Sequence, residues 1–172
     1  RRLLLQSGAA LGATLAAPHI ARASGKMVRL AHATSEIHPG HILAASFKDA
    51  LDEILPGAFN VQIFPNRQLG DDKQNLESAV AGAIEVAMVS GVLIPLVTGR
   101  PAYDAWQLPF LVHDYDHFEK LALSPIGQKL QDDLEGSGII GLATADIGQR
   151  NFLSVNTEVR SVADMKGLKT RI

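Results

Sequence analysis

Two arginines are the residues best suited to chemistry. Arg150 follows Gly148-Gln149, and Arg171 closes the run Gly167-Leu-Lys-Thr-Arg171; each lies on a segment that reads as a β-strand. A guanidinium on a strand edge is a rigid two-pronged donor that fits a carboxylate. A single arginine is more often a solvated surface residue, so spacing alone leaves both readings open. Four histidines compete for attention. His38-Pro-Gly-His41 and His113-Asp-Tyr-Asp-His117 have ligand-like spacing, but a metal site needs imidazoles or carboxylates that converge on one point. Pro39-Gly40 makes the first pair a loop, and the second pair sits at a helix start. Both therefore read as exposed or capping histidines, and no H-E-x-x-H motif is present. The expectation is no metal site.

Nucleophilic and acid–base chemistry find little support. There is no cysteine. Ser90-Gly91 follows a strand but lacks the G-x that would precede the serine in a nucleophile elbow. Asp71-Asp72 are neighbours, and neighbours on a helix do not face each other. They read as a cap plus one exposed or ligand-side acid. Neither a P-loop nor G-x-G-x-x-G occurs, so no cofactor is expected.

The elements that must position these groups follow from periodicity. Met27 to Ala33 alternates and reads as a strand; Thr34 to Gly40 is a loop. Ile42, Leu43, Phe47, Ala50, Leu51, Ile54 and Leu55 recur at helical spacing, and Pro56-Gly57 ends that helix. Phe59 to Phe64 is the clearest alternating strand. Asp71 is a natural N-cap for a helix over 72–81, closed by Gly82. Ile84 to Ser90, nearly continuous apolar, reads as a third and central strand. Helices follow over 114–123 and from Ser124-Pro125, where Ser caps and Pro takes the first position. Trp106 to Leu111 reads as a short strand or buried turn. Further strands are expected over 139–145, 151–155 and from Leu168, with a short helix over 161–166. The order β-α-β-α-β with short connections predicts an α/β fold with parallel strands. Ligands on such sheets bind beyond the carboxyl ends of the strands, here Ala33–Ser35, Pro65–Asp72 and Ser90–Gly91.

Composition narrows the class. Aromatic content is 5% against 47% hydrophobic, so the core is aliphatic, and a formal charge of −2 argues against nucleic-acid binding. Arg1-Arg2-Leu-Leu-Leu, an apolar run to Ala17 and Ala21-Arg-Ala23 form a charged region, a short hydrophobic region and an A-x-A site. Together they resemble a twin-arginine export signal over 1–23. The apolar run of 15 residues, Leu3 to Ala17, is short for a membrane span, which takes about 20. Cleavage after Ala23 would take 16 Lys+Arg down by three to 13, against 18 Asp+Glu, for a net −5. An acidic protein that binds anions must do so through a local site.

Four blocks, in order, carry a family resemblance: Phe64-Pro-Asn-Arg-Gln-Leu-Gly-Asp-Asp72, Ala81-Gly-Ala-Ile-Glu-Val-Ala87, Leu108-Pro-Phe-Leu111, and the most specific, Ser161-Val-Ala-Asp-Met-Lys-Gly-Leu-Lys-Thr-Arg171. Across Met27 to Ile172 the chain resembles the N-terminal half of a TRAP-transporter solute-binding protein of the DctP-like family. The resemblance implies a periplasmic-binding-protein-like fold of two α/β lobes about a hinge. Lobe one would be 24–147 (partial), and 148–172 the truncated start of lobe two. With no initiator Met and about half of a typical member present, the expectation is a piece of a longer protein. The rest of lobe two, the returning segment and a long bracing helix would lie elsewhere.

The implied function is a periplasmic, non-enzymatic receptor. It would bind a small organic carboxylate and deliver it to the membrane subunits of a TRAP permease, with no nucleic-acid partner and no stable membrane insertion after signal cleavage. The resemblance makes Arg171 the principal carboxylate clamp and Arg150 its helper. It places His32, Asp72 and Ser90 on the ligand cleft. In sialic-acid-type members the Ser90 position is acidic and the His32 position an amide, which argues against sialic acid here. The rival readings are a periplasmic metal-dependent hydrolase using His113, Asp116 and His117, and a ligand-sensing module of a signalling protein.

Overall fold

The computed structural model describes residues 25–148 and 152–170; the export signal expected over 1–23 lies outside them. Three parallel strands form one sheet, β1 (Lys26–His32), β2 (Phe59–Phe64) and β3 (Val86–Met88), in the order β2-β1-β3. Val28 pairs with Val61, and Leu30 with both Ile63 and Val86. Two helices make the crossovers, α1 (Pro39–Ile54) and α2 (Asp72–Val80). The step from β1 to β2 runs one way along the sheet and the step from β2 to β3 runs back across β1. With the right-handed crossovers that parallel strands favour, this reversal puts α1 and α2 on opposite faces.

Two separate core clusters agree with that arrangement. Val28, Leu30, Ala44 and Val61 are buried together, with Phe47, Leu51 and Ile63 packed around them. Leu76, Ile94, Tyr103 and Leu134 form the second, flanked by Trp106, Leu130 and Ile139. Besides Leu76 of α2, α3 (Ile94–Thr98), a 3₁₀ turn over Pro101–Gln107 and α5 (Pro125–Asp132) contribute to the second cluster, and α4 (Tyr115–Ala122) lies beside it with Phe118 against Trp106. No helix among the described residues is long and apolar enough to cross a membrane.

Local chemistry explains the helix boundaries. Asp71 accepts from the Gln74 N–H and Gln74 Oε1 accepts from the Asp71 N–H, both at 2.9 Å, a reciprocal cap at the start of α2. Ser124 Oγ accepts from the Gly127 N–H, and Pro125 takes the first position of α5, where no amide hydrogen is needed. Gly70 has φ 128°, and a Cβ there would meet the Gln74 side chain at 2.8 Å, so that turn requires glycine.

Several expected strands are not strands. β3 is three residues long and pairs with β1 alone among the described residues, so β1, not β3, is central. The Trp106 segment is the end of a 3₁₀ turn. Residues 139–145 form no ladder among the described residues. They are held instead by side chains: Thr144 Oγ1 meets Tyr103 Oη at 2.9 Å and accepts from Gln131 Nε2. Of the strand expected over 151–155, residues 152–155 are exposed and pair with no strand among the described residues, with Val155 at 96%. An apolar run favours extension, but a strand exists only where a neighbour takes up its backbone hydrogen bonds. The expected helix over 161–166 is a 3₁₀ turn, Val162–Met165, where Asp164 Oδ2 accepts from Ser161 N–H at 2.8 Å and from Arg160 N–H at 3.1 Å. Those hydrogen bonds hold the Asp164 carboxyl below its usual range.

Candidate functional site

The carboxyl ends of all three strands converge with the N-termini of α1 and α2. Asn66 N–H donates to Thr34 O at 2.9 Å, tying the loop after β2 to the loop after β1. Asn66 and Arg67 both have positive φ, 55° and 61°, a conformation that side chains other than glycine adopt at a cost of about 1–2 kcal/mol per residue. The loop between β2 and α2 is thus specified closely, and it sets the approach of Asp71 and Asp72 to the strand ends.

His32 ends β1 and is 1% exposed. Thr34 Oγ1 lies 2.9 Å from its Nδ1, and His41 Nδ1 lies 3.1 Å from its Nε2. The two imidazoles meet edge to face, with centroids 5.2 Å apart. Burial pushes His32 below the ordinary imidazole range, and His41 pushes it further; a backbone hydrogen bond at Thr34 and the Asp72 carboxylate oppose this. His38 is the N-cap of α1, its Nδ1 accepting from Gly40 N–H at 3.0 Å. The pair His38/His41 is therefore a helix start, not a loop: only His38 is spent on the cap, and His41 turns inward onto His32.

Asp72 begins α2, and its Oδ2 accepts from the Ser90 N–H at 3.3 Å. The Ser90 nitrogen lies just past β3, so the first turn of α2 is fastened to the end of the sheet. His32, Asp72 and Ser90 thus lie at one edge of the sheet. Arg150 and Arg171 lie outside the described residues. From the sequence His41 reads only as an exposed or capping histidine, and Thr34 only as the start of a loop. The available signal was that His41 stands three residues after a capping histidine, on the helix face that returns to the strand.

The rival histidines behave differently. His113 and His117 stack at 5.0 Å on the surface, and His117 Nδ1 accepts from the His113 N–H at 3.4 Å, while the Asp114 carboxylate caps α4 through the His117 N–H. Among the described residues no group of three or more His, Asp or Glu is placed to hold a metal. Trp106 packs against Phe118 and the second core cluster, its Nε1 buried without a partner among the described residues.

This edge gathers imidazole, hydroxyl, carboxylate and backbone groups at the carboxyl ends of a parallel sheet, where ligands of α/β folds sit. Comparison with known proteins finds relatives of the chain. The C4-dicarboxylate-binding periplasmic protein DctP of Rhodobacter capsulatus is 34% identical over 176 residues, covering 100% of this chain and 51% of that protein. The 2,3-diketo-L-gulonate-binding periplasmic protein YiaO of Escherichia coli (strain K12) is 30% identical, covering 92% of this chain and 48% of that one. A crystal structure of a TRAP periplasmic solute binding protein from Desulfovibrio salexigens with bound orotic acid superposes with a TM-score of 0.75 at 27% identity, over 82% of this chain and 45% of its own. The chain spans about half the length of the relatives it matches, and its α/β fold is that of part of a two-lobe periplasmic binding protein. The family model described as "Bacterial extracellular solute-binding protein, family 7" matches residues 30–172, and the chain belongs to that family, DctP.

Proposed function

We propose that the protein is a periplasmic solute receptor that binds a small organic carboxylate and hands it to the membrane subunits of a TRAP-type permease. The family match over residues 30–172 carries this reading, and the meeting of Asp72 with the Ser90 N–H at the carboxyl ends of the strands supports a ligand edge there. In the proposal Arg171 grips the carboxylate with two parallel hydrogen bonds, and Arg150 adds charge and a further donor. Residues 24–147 serve as most of lobe one, and 148–172 open lobe two. The ligand touches both lobes, so it stabilises the closed form over the open one. The permease then recognises the closed form. No bond is made or broken, and residues 1–23 direct export and are removed.

The experiment is a thermal-shift panel on the full-length protein with C4-dicarboxylates, keto acids, sugar acids and aromatic acids. The reading requires a saturable rise in melting temperature with at least one class. A flat panel, with turnover that chelation abolishes, would favour the hydrolase reading instead.

A further inference from the structure

This inference rests on the carboxylate-receptor reading and concerns how the end of β1 meets a negative charge. His32 is buried and both its ring nitrogens are engaged, with Thr34 Oγ1 and His41 Nδ1. It has no polar atom left for a ligand. His41, half-buried in the first turn of α1, has no partner on Nε2 among the described residues. The exposed end of the pair is therefore His41.

The shared contact requires one hydrogen between the two rings. Between His32 Nε2 and His41 Nδ1 one nitrogen must carry the hydrogen and the other must accept it. If the pair gains a proton on His41, both nitrogens of that ring are donors. His41 Nδ1–H then points to His32 Nε2, His32 Nδ1–H to Thr34 Oγ1, and His41 Nε2–H outward. Burial, then His41 and more weakly His38, oppose a proton on His32. Asp72, from α2, acts in the other direction on His32, and Met88 of β3, close to Gly40, is uncharged.

We propose that carboxylate binding at this edge is accompanied by uptake of one proton by the His32–His41 pair, with His41 Nε2–H as the ligand-facing donor and His32 as its positioning residue. The charged pair binds the anion more tightly than the neutral pair. Affinity is therefore highest at low pH, where the pair is protonated even without ligand. It falls as pH rises, approaching about tenfold per pH unit between the titration points of the free and bound protein. The lowered titration of His32, caused first by burial and then by His41, agrees with His32 staying neutral and serving as the acceptor for His41 Nδ1–H.

The test is calorimetric titration of the full-length protein with succinate, L-gulonate and orotate, from about pH 5.5 to about pH 8.5, across the imidazole range. Each titration is repeated in buffers of different ionisation enthalpy. The expected result is an enthalpy that varies with the buffer in proportion to uptake of close to one proton, with affinity falling as pH rises. His41→Gln keeps a polar head but cannot titrate, and should show neither effect. Wild-type binding with buffer-independent enthalpy and flat affinity overturns the proposal and leaves the receptor reading standing. Undiminished proton uptake in His41→Gln also overturns it. Absence of binding by all three acids at every pH overturns the receptor reading and this proposal with it. If the variant does not fold, the wild-type titrations alone decide.

Discussion

Asp72 and Ser90, eighteen positions apart, meet at the carboxyl edge of the sheet, where Asp72 Oδ2 accepts the Ser90 backbone N–H at 3.3 Å. One residue starts α2 and the other follows β3, so a single hydrogen bond fixes a helix start against a strand end. Asp72→Ala removes the acceptor and should lower unfolding free energy by about 1 kcal/mol, the low end for a lost partner because both groups are half-exposed. Asp72→Asn, which keeps an oxygen there, should lose less. Urea unfolding of the full-length protein measures both, and equal losses would argue against the hydrogen bond.

Arg29 and Glu85 make a second tie between β1 and the entry to β3. Glu85 Oε2 accepts from Arg29 N–H at 2.8 Å and from Nε at 3.0 Å, and Glu85 Oε1 accepts from Nη2 at 2.8 Å. The Arg29 side-chain hydrogen bonds, then its backbone N–H, hold the Glu85 carboxyl down at about 2. A depressed carboxyl contributes stability that is fully present above its unfolded value of 4.5 and is lost as pH falls from there toward about 2. Glu85→Gln should therefore melt below wild type at neutral pH, with the gap closing in strong acid. Both groups are solvent-facing, so the gap should also shrink at high salt. A pH-independent difference would contradict this account.

The Tyr103–Thr144–Gln131 group should matter more than its modest size suggests. Gln131 is 7% exposed, and in Thr144→Val its amide loses the hydroxyl that accepts from it. The expected loss is about 1–3 kcal/mol, because a buried polar group is left unsatisfied. Amide hydrogen exchange over 139–145 should accelerate in the same variant, because this contact replaces the strand pairing that the segment lacks. Unchanged exchange would show that the segment is held by something else.

The cap of α2 gives a calibrated comparison. Asp71→Ala should cost about 1 kcal/mol, as helix caps do. His113→Ala, at an exposed stacked pair, should stay within about 0.5 kcal/mol. Denaturant midpoints of the two variants measure the contrast, and a large loss at His113 would point to a role that the surface geometry does not suggest.

Local signals in the sequence carried further than long-range ones. Asp71 and Ser124-Pro125 announce their helices because capping is chemistry between residues three apart. The alternation over Phe59–Phe64 announces a strand because one face is buried. The run over 139–145 misleads because it encodes extension without encoding a partner, and β3 is shorter than its apolar run because it pairs with only three residues of β1. At the candidate site Asp72 and Ser90 fall within the strand ends marked by the rule that ligands lie there, and His32 was named through the family resemblance alone. His41 was reachable by neither, because its role depends on the angle at which α1 leaves the Thr34 loop. No pattern of neighbours in the sequence states that angle.

In the proposed receptor a guanidinium fork at Arg171 holds the carboxylate, and ligand-induced stabilisation of the full-length protein reports on that grip. With a binding acid at about 100 times its Kd, stabilisation of about 2.7 kcal/mol is expected in wild type. Arg171→Ala should abolish it, and Arg171→Lys should not restore it, because an ammonium cannot reproduce two parallel hydrogen bonds. A rise in melting temperature as large in either variant as in wild type would contradict the account.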